Sequence, residues 1–155
     1  EFKSFFLKNG PFHLGFHGKT VLNSQSLFAN YTASLLSMPA FNLIPDMETF
    51  FLPEYRATQF LSLGTNLILE LTNKLDLRLD VYYFQPIVQL QQNQDGTIQY
   101  GKPLQAHSLV ASSSVLYDTP IGPVRASLNY FPAQESPLFF QLSFGYILFN
   151  ERAVR

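Results

Sequence analysis

The side chains that could catalyse a reaction do not assemble into a catalytic motif in this sequence. The stretch GFHGKT (residues 15–20) contains the Gly-Lys-Thr of a phosphate-binding loop, but that motif requires a glycine five residues before Gly18, where the chain has His13. The Gly-x-Ser-x-Gly elbow of many serine hydrolases does not occur either. We therefore expect no catalytic residue in this chain.

Two histidines are spaced as metal ligands would be on a helix. His13 and His17 lie four positions apart, but the residues around them alternate between apolar and polar, which predicts a strand. On a strand, that spacing separates two residues by about 13 Å, which is too far for one shared ion. The chain also has no cysteine, so we expect no metal ion and no cofactor, and we interpret His13, His17 and His107 as polar residues of strand faces.

Most of the remaining candidate residues are charges on one face of alternating strands. In LDLRLDVYYF (residues 75–84), charged residues alternate with leucines, and successive side chains of a strand point to opposite faces. Glu70 and Arg125 have the polar parity of neighbouring stretches. The pattern predicts a charge network of Glu70, Asp76, Arg78, Asp80 and Arg125. The alternative is ordinary cross-strand pairing, at about 0.2–1 kcal/mol for each pair.

The composition indicates that the polar face is shielded. Charged residues make up 14% of the chain, against roughly 25% in soluble domains. The polar positions are filled mostly by Ser, Thr, Asn, Gln, Gly and Tyr, which suits the lumen of a barrel whose apolar face meets lipid. The formal net charge of −1 gives no electrostatic reason to expect nucleic acid as a partner.

The alternation predicts an all-β chain with about eight strands. No apolar run approaches the roughly 18 residues of a transmembrane helix. The predicted strands lie near residues 2–8, 11–22, 27–37, 58–71, 75–86, 107–117, 123–131 and 138–149.

The connections between these strands differ in length in a regular way. Short turns are predicted at residues 8–11, 72–74 and 118–122, and long links at 38–57 and 87–106. Short turns on one rim and long loops on the other are typical of outer-membrane barrels. A soluble barrel or sandwich, with the leucines inside, is the alternative.

Aromatic residues on the apolar parity lie near strand ends. Aromatic side chains favour the membrane–water interface and form girdles around membrane barrels. We predict an interface position for Tyr83, Tyr117, Tyr130, Phe140 and Tyr146.

Three segments carry a family resemblance. They are YRATQFLSLGTNLILELTNKLDLRLDVYYF (residues 55–84), YDTPIGPVRASLNY (117–130) and FFQLSFGYILFN (139–150). In this order they resemble the last strands of the BamA-type outer-membrane assembly superfamily. The resemblance implies an antiparallel transmembrane β-barrel of sixteen strands, of which this chain would supply the C-terminal half.

The resemblance also implies an anchored loop. In the superfamily, the sixth extracellular loop folds into the lumen, and an arginine at its tip pairs with an acid on a nearby strand. By position, the loop is residues 38–57, the arginine is Arg56 and the acid is Asp80, with Asp76 or Glu70 as substitutes.

The tail ERAVR after Asn150 resembles that of the self-transporting patatin-like phospholipases, in which a serine hydrolase domain precedes the barrel. Residues 1–155 would then be one barrel domain of a longer protein in the outer membrane of a Gram-negative bacterium. This domain would anchor an attached patatin-like lipase. Its further expected role is to translocate that lipase. The expected partners are membrane lipid, the rest of its own barrel or an N-terminal domain, and the outer-membrane assembly machinery.

Other functions fit the same strands. The chain could be the barrel end of an insertase or of a secretion pore, where the barrel itself handles the substrate. It could also be a complete eight-stranded outer-membrane barrel. A soluble lipid-binding barrel is the last alternative.

Overall fold

A computed structural model describes residues 2–24 and 26–145. Within those ranges the chain forms nine strands and one short α-helix. The strands are β1 (Phe2–Asn9), β2 (Phe12–Leu22), β3 (Gln59–Thr72), β4 (Leu75–Pro86), β5 (Leu90–Gln92), β6 (Ile98–Tyr100), β7 (Ser108–Thr119), β8 (Gly122–Tyr130) and β9 (Leu138–Phe144), and the helix is α1 (Tyr31–Ser37). Two 3₁₀ turns, Pro45–Glu48 and Pro53–Tyr55, lie between α1 and β3.

Seven of the strands form one antiparallel sheet. Its order is β1-β2-β3-β4-β7-β8-β9, so each strand pairs with the next long strand of the chain, while β5 and β6 form a separate hairpin. The predicted all-β class and antiparallel pairing are confirmed. Over the described residues the sheet is not closed into a barrel, so the barrel stays a prediction.

The tight turns lie where the sequence predicts them. The turn between β1 and β2 begins at Gly10, directly after Asn9. Gly10 has a φ of 61°, in the left-handed region that glycine adopts without strain. Thr72 pairs with Leu75 across the next turn, and Thr119 pairs with Gly122 across the third. These three turns fix the register and thereby determine which side chains share a face.

One face of the sheet is apolar and exposed, and we call it the outer face. Leu63 is 54% exposed, Leu79 43% and Phe140 72%. The opposite, inner face has two halves. Near the turns it carries polar residues such as Asp76, Asp80 and Arg125. Near the long links it carries the large apolar residues Phe60, Tyr82, Phe84 and Val110.

The core lies between this apolar half and residues 38–57, which we call the strap. The strap contributes Phe41, Ile44, Met47, Leu52, Tyr55 and Ala57 to the cluster, and Phe131 joins it from the segment after β8. Ile44 and Phe131 have no exposed surface. Each such side chain contributes about 1.5–3 kcal/mol on burial, so the hydrophobic effect is a large part of what holds the strap on the inner face.

The strand predicted at 27–37 is wrong, because residues 31–37 form α1. The Asn30 side chain caps the helix by accepting a hydrogen bond of 3.0 Å from the Ala33 N–H. Met38 precedes Pro39, which disfavours helical backbone at Met38 and ends the helix. The buried side chains of the helix pack against the β5–β6 hairpin in a second small core of Leu35, Met38 and Leu90, with Leu27, Tyr31 and Ile98 around it.

Gly64 allows a close approach on the inner face. It pairs with Tyr82 across β3 and β4, and a Cβ at Gly64 would overlap the Tyr82 ring. The Tyr82 hydroxyl accepts a hydrogen bond of 2.6 Å from Asn66 Nδ2, two residues along β3. The glycine therefore lets Tyr82 lie flat on the sheet beneath the strap.

Candidate functional site

A buried carboxylate fixes the strap to the inner face. Asp46 lies in the 3₁₀ turn Pro45–Glu48 and is 3% exposed. Arg125 Nη1 donates to its Oδ1 at 2.9 Å, and Asn129 Nδ2 donates to its Oδ2 at 2.8 Å. The Ser127 hydroxyl also donates to Oδ2. We call these four residues the anchor.

The position of the three donors follows from strand geometry. Arg125, Ser127 and Asn129 are alternate residues of β8, so their side chains all point to the inner face. The ion pair is shielded from water, since the side chains of Arg125 and Asp46 are only 14% and 4% exposed. A pair of this kind is costly to break, because the charge that is left behind stays buried without a partner.

Aromatic contacts also hold the strap against the inner face. The Phe41 ring packs against those of Tyr55, Phe60, Tyr82 and Phe84, with centroids 5.0–6.4 Å apart. Within the strap, the Phe41 N–H donates to the Tyr55 carbonyl at 2.8 Å. Polar and apolar contacts thus hold the two ends and the middle of the strap.

Tyr55 lies inside this aromatic cluster and is 1% exposed. Burial raises the pKa of its hydroxyl above the ordinary value of 10.0. The hydroxyl accepts a hydrogen bond of 3.4 Å from the Ala133 N–H in the link between β8 and β9. Tyr55 therefore connects the strap to a second segment outside the sheet.

Among the described residues, Arg56 forms no ion pair with Asp80, nor with Asp76 or Glu70 in its place. Arg56 Nη1 instead donates to the carbonyls of Leu35, Leu36 and Met38 at 3.2–3.5 Å. These are carbonyls at the C-terminus of α1, where the helix dipole favours a cation. The helix that the alternation pattern missed thus provides the partner of Arg56.

The other predicted charges form separate contacts on the inner face. Asp80 accepts a hydrogen bond from Asn66 Nδ2. Arg78 lies 3.8 Å from Asp76, and Glu70 lies 3.0 Å from His13 Nε2. Of the predicted charges, Arg125 contacts the strap through Asp46.

Several buried polar atoms of the inner face have no hydrogen-bond partner within the described part of the chain. They include the hydroxyls of Ser62, Ser112 and Ser114 and the Nε of Arg78. Buried polar groups are normally hydrogen-bonded to protein or to water. The inner face therefore carries buried polar groups beside its apolar half.

Four of the predicted interface aromatics lie on the outer face. Tyr83 is 39% exposed, Tyr117 47%, Tyr130 41% and Phe140 72%. Tyr146 lies outside the described residues. The exposure of the four rings suits an interface position, which stays a prediction.

Comparisons with known proteins complete the description of the site. No family model, curated protein or solved structure matches. In residues 2–24 and 26–145, no helix is long and apolar enough to cross a membrane, and no group of three or more His, Asp or Glu side chains is placed to hold a metal ion. The resemblance to the BamA-type superfamily therefore rests on the sequence segments alone.

The sequence did contain a signal for the anchor residues that were missed. Asp46 is an acid between apolar residues in FNLIPDM (residues 41–47), and a lone acid in such a stretch requires a partner when it is buried. Ser127 and Asn129 share the parity of Arg125 on β8. What the sequence could not indicate is that these two segments meet.

Proposed function

We propose that this chain is part of a β-barrel in the outer membrane of a Gram-negative bacterium. Its outer face would contact lipid, and the strap would be a loop folded into the lumen. The observation that carries this proposal is the distribution of polarity across the sheet: large apolar side chains are exposed on one face, while the other buries an anchored ion pair.

A soluble barrel would distribute these residues the opposite way, with the leucines in the core. Leu63, Leu79 and Leu109 are all exposed, at 54%, 43% and 54%, and they lie on three consecutive strands of the sheet. Soluble monomers rarely expose one contiguous apolar patch larger than about 300–600 Å². Lipid is the surrounding that this face fits best.

The strands are long enough to span a membrane. β3 has 14 residues and β4 and β7 have 12 each, and a tilted transmembrane strand needs about 9–11. On β4, Leu75 and Tyr83 are eight positions apart, which is about 27 Å along the strand. With a tilt of about 40°, this corresponds to an apolar band about 21 Å tall, close to the roughly 25 Å of outer-membrane barrels.

In this proposal the chain acts as an anchor and not as an enzyme. The attached domain would perform the chemistry, and the resemblance suggests a patatin-like lipase whose catalytic serine lies in another segment. Translocation of that domain is a further task of the barrel in this proposal. The anchored strap would keep the lumen occupied while the barrel is at rest.

The sequence contains no cysteine, so a single introduced cysteine can be labelled specifically. We propose single cysteines at Leu79 on the outer face and at its neighbour Arg78 on the inner face, each carrying a nitroxide label, in the full chain reconstituted into lipid vesicles. We expect the label at 79 to collide with oxygen dissolved in lipid and the label at 78 to be shielded from it. A label at 79 that collides instead with a water-soluble nickel chelate, or a chain that folds as a monomer without detergent or lipid, would contradict the proposal.

A further inference from the structure

A cleft of about 580 Å³ opens near the ends of β4, β7 and β8, on the side of the long links. It lies where β8 leaves the sheet: Tyr130 is the last residue of β8 to pair with β7, whereas β7 continues to pair with β4 as far as Ser108 and Phe84. The volume lies within the range of about 300–1,000 Å³ that is typical of small-molecule sites. Neither the anchor nor the predicted lumen charges line this cleft.

The residues that line the cleft include one side chain with a full charge at neutral pH. That residue is Glu54 of the strap; the lining also contains the imidazole of His107 and no lysine or arginine. Phosphate and carboxylate ligands are disfavoured there, because an anion would meet Glu54 with no cation to offset it. The charge of the cleft therefore selects for a cation.

Glu54 is held in position for such a ligand. One of its carboxylate oxygens, Oε2, accepts a hydrogen bond from Gln134 Nε2 in the link between β8 and β9. A carboxylate has about four lone-pair sites, so this bond leaves Glu54 able to accept from a ligand. A carboxylate that is already held in position binds a cation at a low entropic cost.

The walls of the cleft suit the carbon skeleton and the charge of an organic cation. Tyr130 provides an aromatic ring, Phe84 and Pro86 provide apolar surface, and Gln105 and Ser108 provide polar atoms. An ammonium or guanidinium group is attracted to a carboxylate and to the face of an aromatic ring. A compact inorganic ion would gain nothing from these apolar walls.

We infer that this cleft binds a small organic cation that carries a primary amine or a guanidinium group, with Glu54 as its counter-ion. Every wall of the cleft belongs to this chain, and two of its residues, Leu109 and Tyr130, also belong to the outer face, so in the proposed barrel the cleft lies at the edge of the lipid-facing band. It assigns to the strap a binding role in addition to its packing role.

The probe for the test is butane-1,4-diamine, and its neutral counterpart is butane-1,4-diol. We would titrate each into the full chain in detergent micelles at physiological salt. NMR would follow the backbone amide shifts of Ala106, His107 and Ala133, which line the cleft. We expect saturable shifts with the diamine and none with the diol. No saturable shift with the diamine, or equal binding of the diol, would overturn the inference.

Glu54→Gln is the decisive variant, because the amide oxygen of glutamine can still accept the bond from Gln134. We expect it to weaken diamine binding by about tenfold or more. Glu48→Gln is the matched control, since Glu48 is an exposed strap carboxylate that accepts from Asn42 at 3.3 Å, and we expect its affinity to stay within about twofold of the parent. Unchanged binding by Glu54→Gln, in a protein whose amide spectrum is otherwise that of the parent, would contradict the assigned counter-ion.

Discussion

Asp46 attaches the strap to β8 through a buried ion pair. Its carboxylate accepts hydrogen bonds from three donors on β8, and one of them is a cation that is itself largely buried. Removing one partner of a buried pair typically costs about 3–5 kcal/mol, because the remaining charge loses its compensation. An exposed pair costs far less to remove.

We therefore expect Asp46→Asn to lower the free energy of unfolding by about 3 kcal/mol. The control is Asp76→Asn, whose partner Arg78 lies 3.8 Å away and is 41% exposed, and we expect a change below about 1 kcal/mol. Urea unfolding in detergent micelles measures both values. An equal loss of unfolding free energy in the two variants would contradict a larger stabilising contribution from the buried anchor.

Gly64 is a second residue whose replacement should lower stability, because a side chain does not fit there. Gly64→Ala would place a Cβ against the Tyr82 ring and the Val81 carbonyl oxygen, and we expect a loss of about 1–3 kcal/mol from the forced shift of a buried side chain and of the neighbouring backbone. Gly18→Ala is the matched control on the neighbouring strand, because its nearest side-chain atom, Leu63 Cδ2, is 3.4 Å away. The same unfolding experiment compares them, and a Gly64→Ala variant as stable as Gly18→Ala would argue against the close packing.

Among the elements, α1 and the strap are coupled through Arg56. The guanidinium contacts carbonyls at the end of α1 and lies 5.6 Å from the centroid of the Phe51 ring. A cation at a helix C-terminus contributes about 0.3–1 kcal/mol. Arg56 thus links the helix to the strap without an acidic partner.

Arg56→Ala should loosen the end of α1 and leave the anchor intact. We expect faster hydrogen exchange at the Met38 amide, which donates to the Ser34 carbonyl at 3.1 Å, and little change at the Asn129 amide on β8. Mass spectrometry or NMR can follow both sites. Exchange that accelerates equally at both would show that Arg56 supports the whole sheet and not one helix end.

The strap should also respond to alkaline pH through Tyr55. Burial raises the pKa of Tyr55 in the folded chain above its unfolded value of 10.0. The stability from burying the neutral hydroxyl is fully present below pH 10 and is lost as the pH rises through the folded pKa. We expect the strap to become accessible to protease above that pH, and Tyr55→Phe to remove this step. A Tyr55→Phe variant with the same alkaline transition would place its origin elsewhere.

The sequence predicts an element well where turn chemistry and alternation act together. Residues 75–86 form β4 as predicted, because the TNK turn before it and the alternating leucines agree on register. Residues 27–37 also alternate, but the Asn30 cap and the Met38-Pro39 junction favour a helix, and its burial against β5 and β6 decides the outcome. Alternation over a short stretch was therefore insufficient by itself.

The same limit applies to the site. Arg125 was predicted to face inward because parity determines the face of a strand residue. Its partner Asp46 lies 79 positions away in the chain. The two residues meet only when the strap packs on the inner face, which no local pattern indicates. The resemblance alone predicts an acidic partner for Arg56, whereas its contacts in the structure are carbonyls at the end of α1, a helix that no sequence pattern indicates.

At the scale of the whole molecule, the number of long strands has a consequence for closure. Over the described residues, seven strands alternate in direction from β1 to β9, so the two edge strands run the same way. If the sheet closed on itself, the seam would be a parallel pair, with the slanted and slightly weaker bonds of that arrangement. A fully antiparallel closure requires an odd number of further strands between the edges, a condition that barrels of eight and of sixteen strands both satisfy.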